Sequence, residues 1–195
     1  MEEKEVIIIG GSAGSIDVMM QILPNLPEEF PVPIILVLHR RPSIGNLSEI
    51  IFQNRCKIPV LEVEDKMPIM KNTVYLAPGG YHLLVEKNHS FSLDFSEKVN
   101  HSRPSIDVTF ESVVDIYNDK VIGILLTGAN TDGARGLKLI KDSGGYTIIQ
   151  SPETSMMPMM PEAAESIMKP DQILNPLEIS DFLINITKKK CDCCA

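Results

Sequence analysis

No apolar run in this 195-residue chain approaches the roughly 20 residues needed to cross a bilayer as a helix. The start, Met1-Glu2-Glu3-Lys4-Glu5, is acidic and leads directly into an apolar stretch, which argues against a secretory leader. Cysteine is scarce. Cys56 stands alone, and Cys191, Cys193 and Cys194 crowd the last five residues. That pattern is no disulfide framework and fits a reducing cytoplasm. Cys191 and Cys193 are too close together, and too short of partners, for a structural zinc site. Positive charge is also in deficit, with 18 Lys and Arg against 26 Asp and Glu, a net charge of −8. Duplex nucleic acid is repelled on average by such a chain. Internal repeats, a long linker, the G-x-G-x-x-G spacing and a Walker lysine are all missing. What remains is a chain long enough, at 44% hydrophobic residues, for one α/β domain with a sizeable core.

The most informative stretch is Val6-Ile7-Ile8-Ile9-Gly10-Gly11-Ser12-Ala13-Gly14-Ser15. Four β-branched residues in a row read as a strand buried on both faces. Glycines break it, and a helix capped by Ser15 is expected through Leu23, with Asp17 in its first turn suiting the helix dipole. Ser12 therefore sits at the carboxyl edge of a parallel sheet, where open α/β sheets bind ligands. On this stretch alone three readings stand: a turn that cradles phosphate, a serine nucleophile with backbone N–H groups nearby for an oxyanion, or a tight turn without chemistry.

Further along, Ile34 to Leu38 reads as a second buried strand, completing a right-handed βαβ unit. It ends at His39. A helix is expected from Asn46, with Leu47, Ile50 and Ile51 turned inward. Ile58 to Val63 reads as a short strand. Thr73 to Ala77, Tyr81 to Glu86 and Phe91 to Phe95 are short alternating runs, read as antiparallel structure inserted between the parallel units. Pro104 fits the first turn of a helix in which Ile106, Phe110, Val113, Val114 and Tyr117 share one face. Val121 to Leu126 is another buried strand, running into a turn-rich loop that contains Asp132 and then a helix from Ala134. Tyr146 to Gln150 is a strand. Met156, Met157, Met159 and Met160 follow in a proline-rich loop that reads as a pliable apolar lid or gap filler. A helix from Glu162 to Met168, an edge strand from Gln172 to Leu174 and a closing helix from Glu178 to Ile186 complete the domain, taken as residues 1–187. Residues 188–195 are expected to be a disordered Lys/Cys tail.

Three loops at strand carboxyl ends thus offer Ser12, His39 and Asp132. A serine hydroxyl is a weak nucleophile at neutral pH and needs a base within reach. An imidazole can take its proton and return it to a leaving group, and a carboxylate can fix the imidazole tautomer. The other histidines suit this less well. His89 is at a hairpin tip, His82 is a half-buried strand residue, and His101 lies before a helix start. As a lone residue, Asp132 reads as a helix cap or turn residue rather than a catalytic group.

The ordered pieces Ile9-Gly10-Gly11-Ser12-Ala13-Gly14, His39, Ala77-Pro78-Gly79-Gly80-Tyr81-His82, Arg103-Pro104-Ser105-Ile106-Asp107, Leu126-Thr127-Gly128 with Asp132-Gly133-Ala134, and Met160-Pro161-Glu162-Ala163-Ala164 resemble the catalytic domain of the chemotaxis receptor methylesterases, the CheB family. The resemblance runs from Val6 to about Ile186. It implies a doubly wound, mainly parallel sheet flanked by helices, with an antiparallel β portion. It implies Ser12 as nucleophile, His39 as general base and Asp132 as the group that orients His39. It also implies hydrolysis of glutamyl methyl esters on the cytoplasmic helices of chemoreceptors, with glutamine deamidation in many members, and no metal or cofactor.

The chain departs from the family pattern in four places. The receiver domain that usually precedes the esterase is not among these residues. Thr127-Gly128-Ala129-Asn130 stands for the usual Thr-Gly-Met-Gly, Ser102 for a frequent His before Arg-Pro-Ser, and Ala13 for the usual Thr. Those changes motivate a second reading, a catalytically weakened binding module of a receptor or histidine-kinase system. Nucleotide binding is disfavoured, because His39-Arg40-Arg41 occupies the strand end where an acidic residue would hold a ribose.

Overall fold

The structure, a computed structural model, describes residues 5–40 and 51–191, with side chains to residue 186. Seven parallel strands form one sheet. In chain order they are β1 (Val6–Gly11), β2 (Ile34–Leu38), β3 (Val60–Glu62), β4 (Val74–Leu76), β7 (Val121–Leu125), β8 (Tyr146–Gln150) and β9 (Gln172–Leu174), and in space they run β3-β4-β2-β1-β7-β8-β9. A separate antiparallel hairpin holds β5 (His82–Val85) and β6 (Phe91–Asp94). The sheet grows from β1 first to one side, through β2, and later to the other, through β7. β1 is therefore the switch point, and the crevice at its carboxyl end is the ligand position of an open α/β sheet.

Alternation along the strands sorts the core. Ile7 and Ile9 face one side, with Met19 and Ile22 of α1 (Ser15–Ile22) and Ile179 and Leu183 of α5 (Pro176–Cys191). Val6 and Ile8 face the other. There they meet Phe110 and Val113 of α2 (Ile106–Tyr117), Leu137 and Ile140 of α3 (Ala134–Asp142), Ala164 of α4 (Met159–Ile167) and Leu83 and Phe91 of the hairpin. A strand with apolar residues at every position needs cover on both faces, and this one has it.

Several expectations are corrected. The run at Thr73 to Ala77 is not part of the antiparallel insertion. Val74, Tyr75 and Leu76 are all buried, and the strand pairs in parallel with β2 and β3. Ser15 does not cap α1. Gly14, at φ 83°, is the capping residue, and the Ser15 hydroxyl donates to the Ser12 carbonyl at 2.5 Å. Pro104 precedes the α2 cap, which is Ser105. α4 starts at Met159, three residues before the expected start, because Pro161 falls in the first turn where its missing N–H costs nothing. The helix expected from Asn46, with Leu47 and Ile50, lies outside the described residues. Ile51 is 41% exposed, and Phe52 is buried in its place. α5 continues to Cys191, and residues 192–195 lie outside the described residues. No helix among the described residues is long and apolar enough to cross a membrane.

Candidate active site

Ser12 follows the last residue of β1 and is held from both sides of the switch point. Its N–H donates to the Thr127 carbonyl at 2.9 Å, which carries the β1–β7 pairing one step past the strands. Its carbonyl accepts from the N–H and the hydroxyl of Ser15, at 3.0 and 2.5 Å. Ser12 thus rides on a turn fixed at both ends, where Gly14 supplies the left-handed conformation that ordinary side chains rarely adopt.

His39 follows β2. The β1–β2 register pairs Gly11 with Leu38, so Ser12 and His39 occupy the next position on adjacent strands. The His39 N–H donates to the Gly11 carbonyl at 3.1 Å. Arg40 braces the same strand end through an Nε bond to the Ala77 carbonyl at 3.0 Å and an ion pair with Glu62. The imidazole lines an open cleft of about 440 Å³ together with Arg40, Gly80, Lys98, His101, Ser102 and Arg103.

Asp132 has no exposed surface. Its Oδ2 accepts from His39 Nε2 at 2.7 Å and from the Ile106 N–H at 2.7 Å. Its Oδ1 accepts from Asn100 Nδ2 at 2.9 Å, Ser105 Oγ at 2.9 Å and the Asp107 N–H at 3.2 Å. The side chain expected as a possible cap for its own helix instead sits on the N-terminus of α2. Burying a lone carboxylate costs several kcal/mol. Bonds to an ionised acceptor contribute about 1.5–3 kcal/mol each, so five of them offset that cost. Burial pushes the Asp132 carboxyl up, but the bonds from His39, Asn100, Ile106 and Asp107 outweigh it and hold the group below the usual carboxylate range.

The carboxylate also sets the imidazole tautomer. An ionised carboxylate only accepts, so His39 Nε2 carries the proton toward Asp132. In the neutral ring Nδ1 is then the free base nitrogen. Ser102 Oγ lies 3.4 Å from it.

Among the described residues, no other histidine bonds Asp132. His82 is buried rather than half-buried. Its Nδ1 accepts from the Ser105 N–H at 3.2 Å, so its Nε2 donates to the Glu97 carbonyl at 2.9 Å. His89 is at the exposed hairpin tip, with Nδ1 3.1 Å from the Tyr117 hydroxyl. His101 is exposed on the cleft rim. Burial pushes the Cys56 thiol up to about 11, so it is no rival nucleophile at neutral pH. Among the described residues, no group of three or more His, Cys, Asp or Glu side chains could hold a metal ion.

Sequence reasoning assigned no role to Asn100, Ser105 or Asp107. Asn100 Nδ2 donates to both Asp132 and Asp107, at 2.9 and 3.0 Å. Asp107 Oδ1 accepts from the Gly133 and Gly136 N–H groups, at 2.9 and 2.7 Å. The Arg103-Pro104-Ser105-Ile106-Asp107 run was the one available signal, and it marked a conspicuous segment without saying what the segment touches.

Comparison with known proteins gives the family and the fold. The CheB methylesterase family matches residues 7–183. The chain belongs to the CheB methylesterase family. A relative from Leptospira interrogans is 45% identical over 186 residues, 93% of this chain and 94% of that one. The protein-glutamate methylesterase/protein-glutamine glutaminase of Archaeoglobus fulgidus is 35% identical over 94% of this chain, which spans 54% of that protein. The crystal structure of the Thermotoga maritima CheB methylesterase catalytic domain superposes with a TM-score of 0.90 at 33% identity, covering 94% of this chain and 99% of that one. The seven-stranded parallel sheet, its flanking helices and the small hairpin are therefore the CheB catalytic fold.

Proposed function

We propose that this chain is a protein-glutamate methylesterase working through Ser12, His39 and Asp132. The observation that carries the reading is the buried Asp132 carboxylate bonded to His39 Nε2 at 2.7 Å, one strand away from the Ser12 turn. The Ser12 hydroxyl attacks the side-chain carbonyl carbon of a glutamyl methyl ester, and its proton passes to His39 Nδ1. Backbone N–H groups at the Ser12 turn hold the oxyanion. The tetrahedral intermediate collapses, and methanol leaves with the proton returned from Nδ1. Water then attacks the acyl-serine, again losing a proton to Nδ1, and glutamate and free Ser12 are released. Asp132 stays ionised throughout and stabilises the imidazolium. With a glutamine side chain the same steps release ammonia. The substrates are methylated chemoreceptor helices in the cytoplasm.

The test is methanol release from radiomethyl-labelled chemoreceptor membranes, with Ser12→Ala alongside. Release is expected from the native chain, and the variant should lose at least about a thousandfold in rate. Full release by Ser12→Ala would overturn the mechanism. No release from a folded native chain would favour the binding-module reading, which the substitutions at Ala13, Ser102 and Ala129 suggest.

A further inference from the structure

Four of the ten methionines fall within residues 156–160, and the chemistry above uses none of them. Met160 is fully buried and fills space against Gly128. The other three are outside, with Met156 71%, Met157 37% and Met159 49% exposed. Their segment is nonetheless firmly held. Thr127 Oγ1 accepts from the Met157 N–H at 2.8 Å and donates toward the Ala13 and Met157 carbonyls, at 3.0 and 3.1 Å. The Gly128 N–H donates to the Met157 carbonyl at 3.0 Å, and the Met160 N–H to the Gly128 carbonyl at 3.1 Å. On the other flank, a methyl group placed on Gly14 would come within 2.7 Å of Met156 Cβ. The backbone of this segment is thus bonded to Thr127 and Gly128, and Thr127 in turn bonds Ser12 and Ala13 of the Ser12 turn, while the Met156, Met157 and Met159 side chains are exposed. Exposed apolar clusters of this kind mark interaction surfaces.

We propose that Met156, Met157 and Met159 are the platform on which a protein substrate lays the apolar side chains that flank its esterified glutamate. The inference rests on the esterase reading and names how that site takes its substrate. Continuity with the site identifies the occupant, because a protein that delivers a side chain to Ser12 must cover the surface attached to the Ser12 turn. Charge narrows it further. Asp17, Glu153 and Glu162 are exposed on the same segments, in a chain of net charge −8. They disfavour an anionic lipid surface or a nucleic acid and tolerate a neutral ester-bearing segment. Methionine's flexible side chain suits a surface that must fit several different sequences around its target glutamates.

The test compares the native chain with the triple variant Met156→Gln, Met157→Gln, Met159→Gln and with the triple Met→Leu variant at the same positions. Each is assayed for methanol release from labelled chemoreceptor membranes and for hydrolysis of a small blocked glutamyl γ-methyl ester. The Gln variant should lose about tenfold or more in kcat/KM on the membranes, mainly through KM, and less than about threefold on the small ester. The Leu variant, still apolar, should stay within about threefold of the native chain on both. A Gln variant that falls equally on both substrates, or on neither, overturns the platform. So does a Gln variant that turns a dimer into a monomer in sedimentation while its membrane rate is unchanged, since the surface then serves a second copy. If the native chain cleaves neither substrate, or Ser12→Ala cleaves the small ester as fast, the esterase reading falls and takes the platform with it.

Discussion

Asp132 and Asp107 cap each other's helices. Asp132, in the loop before α3, accepts the N–H groups of Ile106 and Asp107 at the start of α2, at 2.7 and 3.2 Å. Asp107, in the first turn of α2, accepts the N–H groups of Gly133 and Gly136 at the start of α3, at 2.9 and 2.7 Å. The Asn100 amide lies between them and donates to both. Two carboxylates can share this space because each meets the positive end of the other's helix.

Asp132→Asn should cost both activity and stability. An amide has one acceptor oxygen where five donors converge, and its NH2 group faces N–H groups it cannot satisfy. It also no longer enforces the tautomer that leaves His39 Nδ1 free. The expected loss in kcat is about 10⁴-fold. Leaving buried donors unmet costs about 3 kcal/mol, or roughly 6–12 °C in melting temperature for a chain of this size. Ester hydrolysis and thermal melts of the purified variant check both.

The two carboxylates should give opposite pH dependences. The Asp132 carboxyl is held below its ordinary value, so its contribution is complete above about pH 4 and is lost as pH falls through its own lower value. Burial pushes the Asp107 carboxyl up, and the nearby Asp132 charge adds to that, outweighing the bonds from Gly136, Gly133 and Asn100. Folded Asp107 therefore keeps its proton to higher pH than the unfolded chain does. Its contribution is greatest in acid and declines as pH rises through the raised value. In melts between about pH 3 and 6, the difference between the native chain and Asp132→Asn should shrink toward acid. The difference for Asp107→Asn should grow toward acid. Slopes of one sign for both would contradict a raised Asp107 carboxyl beside a lowered Asp132 carboxyl.

Gly128→Ala should impair catalysis more than folding. The added methyl would lie 2.4 Å from Met160 Cε, which is the movable end of a flexible side chain, and 3.1 Å from Ser12 Cβ, which is not. Overpacking of this kind costs about 1–3 kcal/mol. A nucleophile displaced by a fraction of an ångström loses on the order of 10²-fold in rate. Hydrolysis of a small ester alongside a thermal melt separates the two effects. A lowered melting temperature with unchanged kcat would show that the Ser12 turn does not move.

By itself, the sequence determined which residues end up at strand ends. Val6–Gly11, Ile34–Leu38 and Val121–Leu125 are apolar at nearly every position, and such runs must be buried parallel strands. The loops after them therefore had to carry Ser12, His39 and Asp132 to one edge of the sheet. Tertiary structure alone decided that these three strands are neighbours, in the order β2-β1-β7, since pairing partners leave no local trace in the chain. It also placed β4 in the main sheet, because a three-residue strand is too short to show whether one face or two will be covered. The setting of Asp132 was equally invisible. Asn100, Ser105 and Asp107 reach it only because α2 packs across the sheet and brings its N-terminus over the end of β1. Sequence pattern records which side chains must leave water, whereas a hydrogen-bond network between distant segments exists only once the packed elements have fixed the distances between them.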